Sequence, residues 1–378
     1  VVSDSDRDLK SVNGDNRYQR LKRTLARFTQ GKTFGSLVDV PSDEYDQLRE
    51  LLSTLVELQE SGDSMQKPAA KQLIEIVHQA LVLSIRYDAV IANPPYMGKR
   101  NMSPVLKQKI KVAYPNTWTD LFAVFLERAF ELLKSNGLNA QVNMHSWMFL
   151  SSYEKFRESL IHDKTVLTMA HFGARAFGQI SGEVVQTTAT VLLNSSYRDY
   201  IPTFFRLVSG AEQDKKNNLL NKENKYAQYK IEDFMSIPGS PIAYWISPTL
   251  HDAFKSKDNI DSISPPRIGM MTSDNERFLR NWSEINFEKI GFNFRSREAA
   301  ADSGVKWFPY NKGGGYRKWA GYQELVVNWK NGGEEIAEAG MTSFRGKDFY
   351  FNKGLTWSDI ATGDFSCRYT DVGFIFDI

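Results

Sequence analysis

The sequence predicts an α/β protein: the later half of a doubly wound sheet, followed by a mixed, β-rich region. Three observations carry that expectation. Residues 87–96, YDAVIANPPY, put β-branched and aromatic residues in front of two prolines, so a short strand must stop at Asn93. A long apolar helical stripe and then alternating apolar positions follow, the order of a strand–helix–strand unit. Beyond residue 265 the density of Trp, Tyr and Gly rises, which suits a twisted antiparallel region.

Composition bounds the possibilities. The chain has 378 residues, 42% hydrophobic and 24% charged, which is globular rather than disordered and admits two or more domains. A single cysteine, Cys367, excludes a disulfide framework and a cysteine-rich zinc site, and fits a reducing, cytoplasmic setting. No apolar run has membrane-spanning length, and the first ten residues do not form a signal peptide. The chain does not open on methionine, so a processed product or excised fragment is expected. The net charge of +2 requires any nucleic-acid contact to use a local basic face.

In chain order, Arg17, Arg20, Lys22, Arg23 and Arg27 interleave with apolar residues at helical spacing, and an amphipathic helix with a solvated face is preferred over a nucleic-acid arm. Residues 41–44 open a second helix, and Pro68 suits the first position of a third. The third feeds the Tyr87 strand. Its carboxyl end delivers Asn93 to the rim where open α/β sheets bind ligands. Pro94 and Pro95 stiffen the turn, leaving the Asn93 amide and the Pro94 carbonyl as two acceptors, with Tyr96 just beyond. Two such acceptors can take the two N–H bonds of an exocyclic amine and direct its lone pair outward, while an aromatic ring lies against the base. The bland alternative is a rigid strand-ending turn.

Lys99 and Arg100, with Lys107, Lys109 and Lys111, can sit over phosphates beside a base pocket or serve as a solvated loop. Thr117 is the expected cap of the next helix, Asp120 lies in its first turn and Gly137 ends it, before a strand from Leu138. The loop at 144–149 leads to a short helix and a strand, VLTMAHF. The glycine-bearing loop after it carries Phe177, either a second wall against the base or a loop anchor. VVQTTATVLLN is expected as a hairpin edge strand, and residues 211–230 as a surface excursion or linker.

Residues 267–330 hold eleven basic and seven acidic side chains, a net of +4. Arg295, Arg297, Lys306, Lys312, Arg317 and Lys318 interleave there with Trp307, Tyr310, Tyr316 and Trp319, a pattern for backbone contact and stacking. The alternative is a region whose aromatics fill its own core. Residues 311–315 lack the GK[ST] ending of a phosphate-binding loop, and their glycines suit a hairpin turn or a close backbone approach.

The tetrad Asn93–Pro94–Pro95–Tyr96 closely resembles the N-P-P-Y motif of amino-methyltransferases that use S-adenosylmethionine. With the helix at 119–137, the blocks MHSWMF and FGQISGEVVQTTATVLL, and GMMTSDNERFLRNW and WFPYNKGGGYRKWAGYQELVVNWKNGG further on, the chain resembles the adenine-specific DNA methyltransferases of bacterial BREX phage-defence systems, the PglX-like family. The resemblance implies a Rossmann-like catalytic sheet, Asn93, Pro94, Pro95 and Tyr96 as catalytic residues, and Tyr96 with Phe177 as base-stacking residues. It further implies S-adenosyl-L-methionine as cofactor, with no metal, and double-stranded DNA and other phage-defence subunits as partners. On that basis the expected layout is a partial catalytic domain at 1–200, a connector at 201–262 and the start of a target-recognition domain at 263–378, with Lys99, Arg100, Arg295, Arg297, Lys312, Tyr316, Arg317 and Lys318 on DNA. The glycine-rich cofactor loop expected before the NPPY turn has no counterpart in residues 1–86, where the glycines are isolated, so the fragment alone is expected to be inactive. Two rivals remain: a protein glutamine N5-methyltransferase, whose carboxamide presents the same two donors, and a non-catalytic DNA-binding or scaffold fragment.

Overall fold

A computed structural model describes residues 16–176, 185–256, 260–340, 344–358 and 364–377, and the chain divides into two units, Val1–Ser256 and Lys257–Ile378. The first unit opens with helices α1 (Asn16–Arg27), α2 (Gly31–Phe34), α3 (Tyr45–Ser61) and α4 (Gln66–Ser84). Their apolar stripes meet in a core of Leu21, Val38, Leu48, Leu51, Leu55, Val77 and Ala80. The basic face of α1 is paired: Arg17 and Arg20 reach Glu50, and Arg23 and Arg27 reach Glu44. The second of the expected helix starts holds, as a short 3-10 turn at Ser42–Glu44 leading into α3, whereas Pro68 falls at the third position of α4.

The sheet of this unit has the order β1-β2-β4-β3-β5-β6, with β1 (Tyr87–Ala92), β2 (Leu133–Met144), β3 (Thr165–Gly173), β4 (Thr187–Leu193), β5 (Thr203–Arg206) and β6 (Lys225–Tyr226). Strand β1 is parallel to β2 and β3 is parallel to β5, while β4 runs antiparallel to both β2 and β3. Consequently β1, β2, β3 and β5 point the same way and end on one rim. The strand expected at a hairpin edge, β4, is central; its alternate side chains are buried and both of its ladders are occupied. Residues 201–256, read from composition as connector, supply β5, β6, α8 (Glu212–Leu220) and α9 (Pro248–Lys255).

Helices α5 (Pro104–Ala113) and α6 (Leu121–Glu131) lie between β1 and β2, and α7 (Glu154–Asp163) lies between β2 and β3. The expected helix from Thr117 to Gly137 is shorter at both ends. Thr119 accepts from the Lys99 amide and Asp120 takes the cap position, so helical geometry starts only at Leu121. At the other end Leu133 already pairs with Tyr87, and Gly137 lies inside β2. Asn139, Gln141 and Asn143 alternate on the buried face of β2; Asn139 donates to the Leu126 carbonyl and Gln141 to that of Phe125, each 3.0 Å away, which ties the strand to α6. Phe122, Leu126, Trp147, Phe156, Met169, Phe204 and Tyr244 fill the core on that face.

The second unit contains α10 (Ile260–Ile263), α11 (Asn275–Phe278), β7 (Leu279–Asn281), α12 (Arg297–Asp302), β8 (Trp307–Asn311), β9 (Leu325–Asn328), α13 (Glu334–Glu338), β10 (Gly354–Trp357), β11 (Cys367–Thr370) and β12 (Ile375–Phe376). One sheet is ordered β12-β8-β9-β7, and β10 with β11 forms a separate antiparallel ribbon. Phe278, Phe308, Tyr310, Val327, Trp329, Tyr350 and Phe351 make its core. Gly269 is required by close approach, because a Cβ there would lie 2.0 Å from the Phe376 carbonyl oxygen. Among the described residues no helix is long and apolar enough to cross a membrane.

Candidate active site

Strand β1 ends at Ala92, opposite Gln141 of β2, because the two prolines that follow cannot extend the ladder. Pro94 turns inward and is buried, while Asn93 and Pro95 are exposed. Asn93 is therefore exposed at the rim of the sheet. Tyr96 is half-buried and meets Phe122 edge-on, with ring centroids 6.2 Å apart. Its hydroxyl lies 3.3 Å from Asn93 Oδ1 and 3.2 Å from the Val142 carbonyl of β2. Burial raises the Tyr96 pKa, so this hydroxyl stays a donor, shared between the amide oxygen and the neighbouring strand.

The turn is fastened to the start of α6 from both sides. Asp120 Oδ1 accepts from the Met97 amide at 3.0 Å and from the Phe122 amide at 3.3 Å, serving turn and helix together. The Leu121 amide donates to the Met97 carbonyl at 3.1 Å, and the Lys99 amide to that of Thr119 at 2.9 Å. Burial raises the Asp120 pKa, and hydrogen bonds from the Phe122, Met97 and Leu121 amides oppose that shift. Thr117, the expected cap, is instead fully buried and donates to the Glu127 carboxylate at 2.6 Å.

The same rim carries groups that sequence reasoning passed over. His145 begins the turn after β2, and its Nδ1 lies 2.9 Å from Nε2 of His171 on β3. His171 Nδ1 lies 3.1 Å from the Tyr244 hydroxyl. Phe149 packs against both imidazoles, and Trp245 against that of His171. His171 is held neutral at a pKa of about 3, by burial first and then by His145, Arg206 and Lys215; burial also lowers that of His145. The signal was a histidine at the inward register of an apolar strand, opposite Thr188. Buried Lys215, within the stretch read as a surface excursion, donates to the carbonyls of Phe172, Ala174 and Leu207 and so ties the end of β3 to β5. Phe177 lies outside the described residues.

Lys99 and Arg100 are exposed immediately after the turn, and Lys99 and Lys111 sit 5.1 and 5.3 Å from the Trp118 ring. In the second unit the expected residues divide. Tyr316 and Trp319 are 56% and 79% exposed, Lys318 lies over Tyr316, and Arg317 lies over Tyr322 while pairing with Glu324 at 2.8 Å. Arg295 is exposed and Lys312 half-buried. Arg297 lies beside Glu298 and lines a cavity of about 360 Å³ with Asp302, Trp329 and Lys347. Tyr310 is not available for stacking: it is 1% exposed and donates to the Met270 carbonyl. Residues 312–324 form a long loop rather than a tight hairpin.

Residues 21–177 match the family described as Eco57I restriction-modification methylase. An adenine-specific methyltransferase BrxX of Escherichia coli O9:H4 (strain HS) is 47% identical over 361 residues, covering 95% of this chain and 29% of the relative. An adenine-specific methyltransferase PglX of Lacticaseibacillus casei (strain Zhang) is 39% identical over 377 residues, covering 94% and 31% respectively. The chain thus spans about three tenths of the length of these relatives. Among solved structures, the Type IIL restriction-modification enzyme MmeI in complex with DNA aligns over 94% of this chain and 59% of its own, with 13% identity and a TM-score of 0.45.

Proposed function

We propose, from the premise that this chain is homologous over nearly its whole length to the BrxX and PglX adenine-specific methyltransferases, that the protein methylates N6 of adenine in double-stranded DNA. The observation that carries the proposal is the exposed Asn93 amide at the carboxyl end of β1, with its oxygen beside the Tyr96 hydroxyl. An adenine turned out of the duplex meets two fixed acceptors there, Asn93 Oδ1 and the Pro94 carbonyl. Each takes one N6–H bond, which leaves the amine lone pair directed toward the incoming methyl group. Tyr96, steadied by Phe122 and by the Val142 carbonyl, limits how the ring can sit, and Phe177 is the proposed second wall. The contribution of these residues is positioning.

The methyl donor of such enzymes is S-adenosyl-L-methionine, which supplies an electrophilic methyl group. The described residues before β1 form α1 to α4, and none of their glycines follows a strand, which supports the reading that the loop passing under this cofactor is not among them. We therefore place the chain's role on the acceptor side and expect residues 1–378 by themselves to bind the cofactor weakly. Lys99 and Arg100 are assigned to phosphates beside the flipped base. Arg295, Arg297, Lys312, Tyr316, Arg317 and Lys318 are assigned to the duplex within a target-recognition region. Other phage-defence subunits are proposed partners in the cytoplasm.

The test is incubation of the full-length protein with duplex DNA and labelled S-adenosylmethionine, with nucleoside mass spectrometry as readout. N6-methyladenine is the expected product. Label appearing in protein, in cytosine, or nowhere overturns the proposal.

A further inference from the structure

The chain His145–His171–Tyr244 has a direction that its surroundings fix. Each of its two contacts needs one proton, at 2.9 Å between the imidazoles and 3.1 Å between His171 and the phenol. Tyr244 is 1% exposed, and among the described residues its hydroxyl has no other hydrogen-bond partner. Were the chain to run from His145 inward, His171 Nδ1–H would donate to the phenol oxygen, and the phenolic proton would be left buried without an acceptor. The opposite direction satisfies every group. Tyr244 O–H donates to His171 Nδ1, His171 Nε2–H donates to His145 Nδ1, and the one remaining proton of neutral His145 sits on Nε2.

That nitrogen has no partner among the described residues, and His145 is half-buried. Its place is the Asn93 rim: β1 pairs with β2 up to Ala92 and Gln141, Tyr96 reaches the Val142 carbonyl, and His145 directly follows the last residue of β2. Asn93 Oδ1 and the Pro94 carbonyl are taken up by the two N–H bonds of the amine, which leaves the ring nitrogens to be read by a separate donor. Adenine carries ring-nitrogen acceptors on both sides of its amine, N1 and N7, and a donor completes the set.

We infer that His145 is locked as an Nε2–H donor at the sheet rim and donates to a ring nitrogen of the target adenine, with His171 and Tyr244 as positioning residues that set its tautomer. This rests on the proposed methylation of adenine. Burial first, and then His145, Arg206 and Lys215, oppose protonation of His171, and burial also disfavours the charged form of His145.

Two measurements test it. With histidine-selective ¹⁵N labelling of residues 1–378, only five imidazoles report. His145 and His171 should both show Nε2–H tautomers, His171 should not titrate between pH 5 and 8, and Tyr244→Phe should weaken the tautomer preference. A proton on His145 Nδ1, or titration of His171 in that range, overturns the assignment. In the full-length protein, duplexes carrying 1-deazaadenine or 7-deazaadenine at the target remove one acceptor each. One of the two should raise KM about tenfold, the worth of a neutral hydrogen bond. That penalty should vanish in His145→Ala and shrink in Tyr244→Phe. Equal penalties in wild type and His145→Ala overturn the base contact. Absence of any adenine methylation overturns the functional proposal and the base contact together, and the tautomer is then decided by the spectra alone.

Discussion

Replacing Asp120 with alanine should release the turn at 93–96 from α6, since one carboxylate oxygen serves both. Loss of the helix cap costs about 1 kcal/mol. The Met97 amide, 3.0 Å from that oxygen, loses its acceptor in a partly buried site, at about 1–2 kcal/mol more. Local opening of this segment should thus become easier by about 2–3 kcal/mol, and exchange of the Met97 amide faster by roughly 30- to 150-fold. Asp120→Asn keeps an acceptor and a good cap. Burial already disfavours the Asp120 charge, so the neutral amide should cost under about 0.5 kcal/mol. Hydrogen exchange of both variants, read by mass spectrometry or NMR at Met97 and Phe122, separates the two. An alanine variant whose Met97 exchange stays within about threefold of wild type would refute the proposed coupling.

Tyr96→Phe retains the ring against Phe122 but removes the donor beside Asn93, so kcat for DNA methylation should fall about tenfold with duplex affinity unchanged; unchanged turnover would show that the hydroxyl does not orient the amide. Arg157 is fully buried and donates to the carbonyls of Trp147, Leu150, Gly239 and Ser240, so it ties the turn that carries His145 to residues 239–240. Arg157→Met should lower stability by about 3 kcal/mol, or roughly 6–12 °C in the melting of a unit of this size; a shift under about 2 °C would contradict that role. His171 supplies a pH dependence of known sign. Its folded pKa, about 3, lies below the ordinary value of 6.5, so between these limits the unfolded chain binds a proton that the folded chain does not. Stability is therefore intact above pH 6.5 and falls as the pH drops, by about 1.4 kcal/mol per unit, or about 2 kcal/mol between pH 7 and pH 5. Urea unfolding of wild type and His171→Gln at both pH values should show the smaller pH effect in the variant, and equal effects would refute the assignment.

The rim turn was legible because prolines act locally: Pro94 and Pro95 end a strand whatever surrounds them. The bounds of α6 were not, since Thr117 and Asp120 are both good caps and the choice was made by the pairing of Thr119 and Asp120 with residues 97–99. Gly137 looked like a helix stop, but the long-range pairing of Leu133 with Tyr87 had already converted the chain to strand. The central place of β4 depends on partners on both sides, which its own pattern cannot announce. Lys215 illustrates the limit of composition: it sits in a polar stretch, yet its ammonium is buried among three carbonyls, those of Phe172 in β3, Ala174 just after β3 and Leu207 just after β5. In the second unit the aromatic density was plain, but whether each ring faces solvent or core was not; Trp319 faces out and Tyr310 in.

The role of the rim turn is tested most directly by Asn93→Ala in the full-length protein, with methyl transfer to adenine and duplex affinity measured on the same preparation. Loss of one of the two acceptors should lower turnover by about 100-fold or more while affinity for DNA stays within about twofold. Turnover that survives the substitution, or affinity that collapses in step with it, would contradict a role for Asn93 in holding the amine.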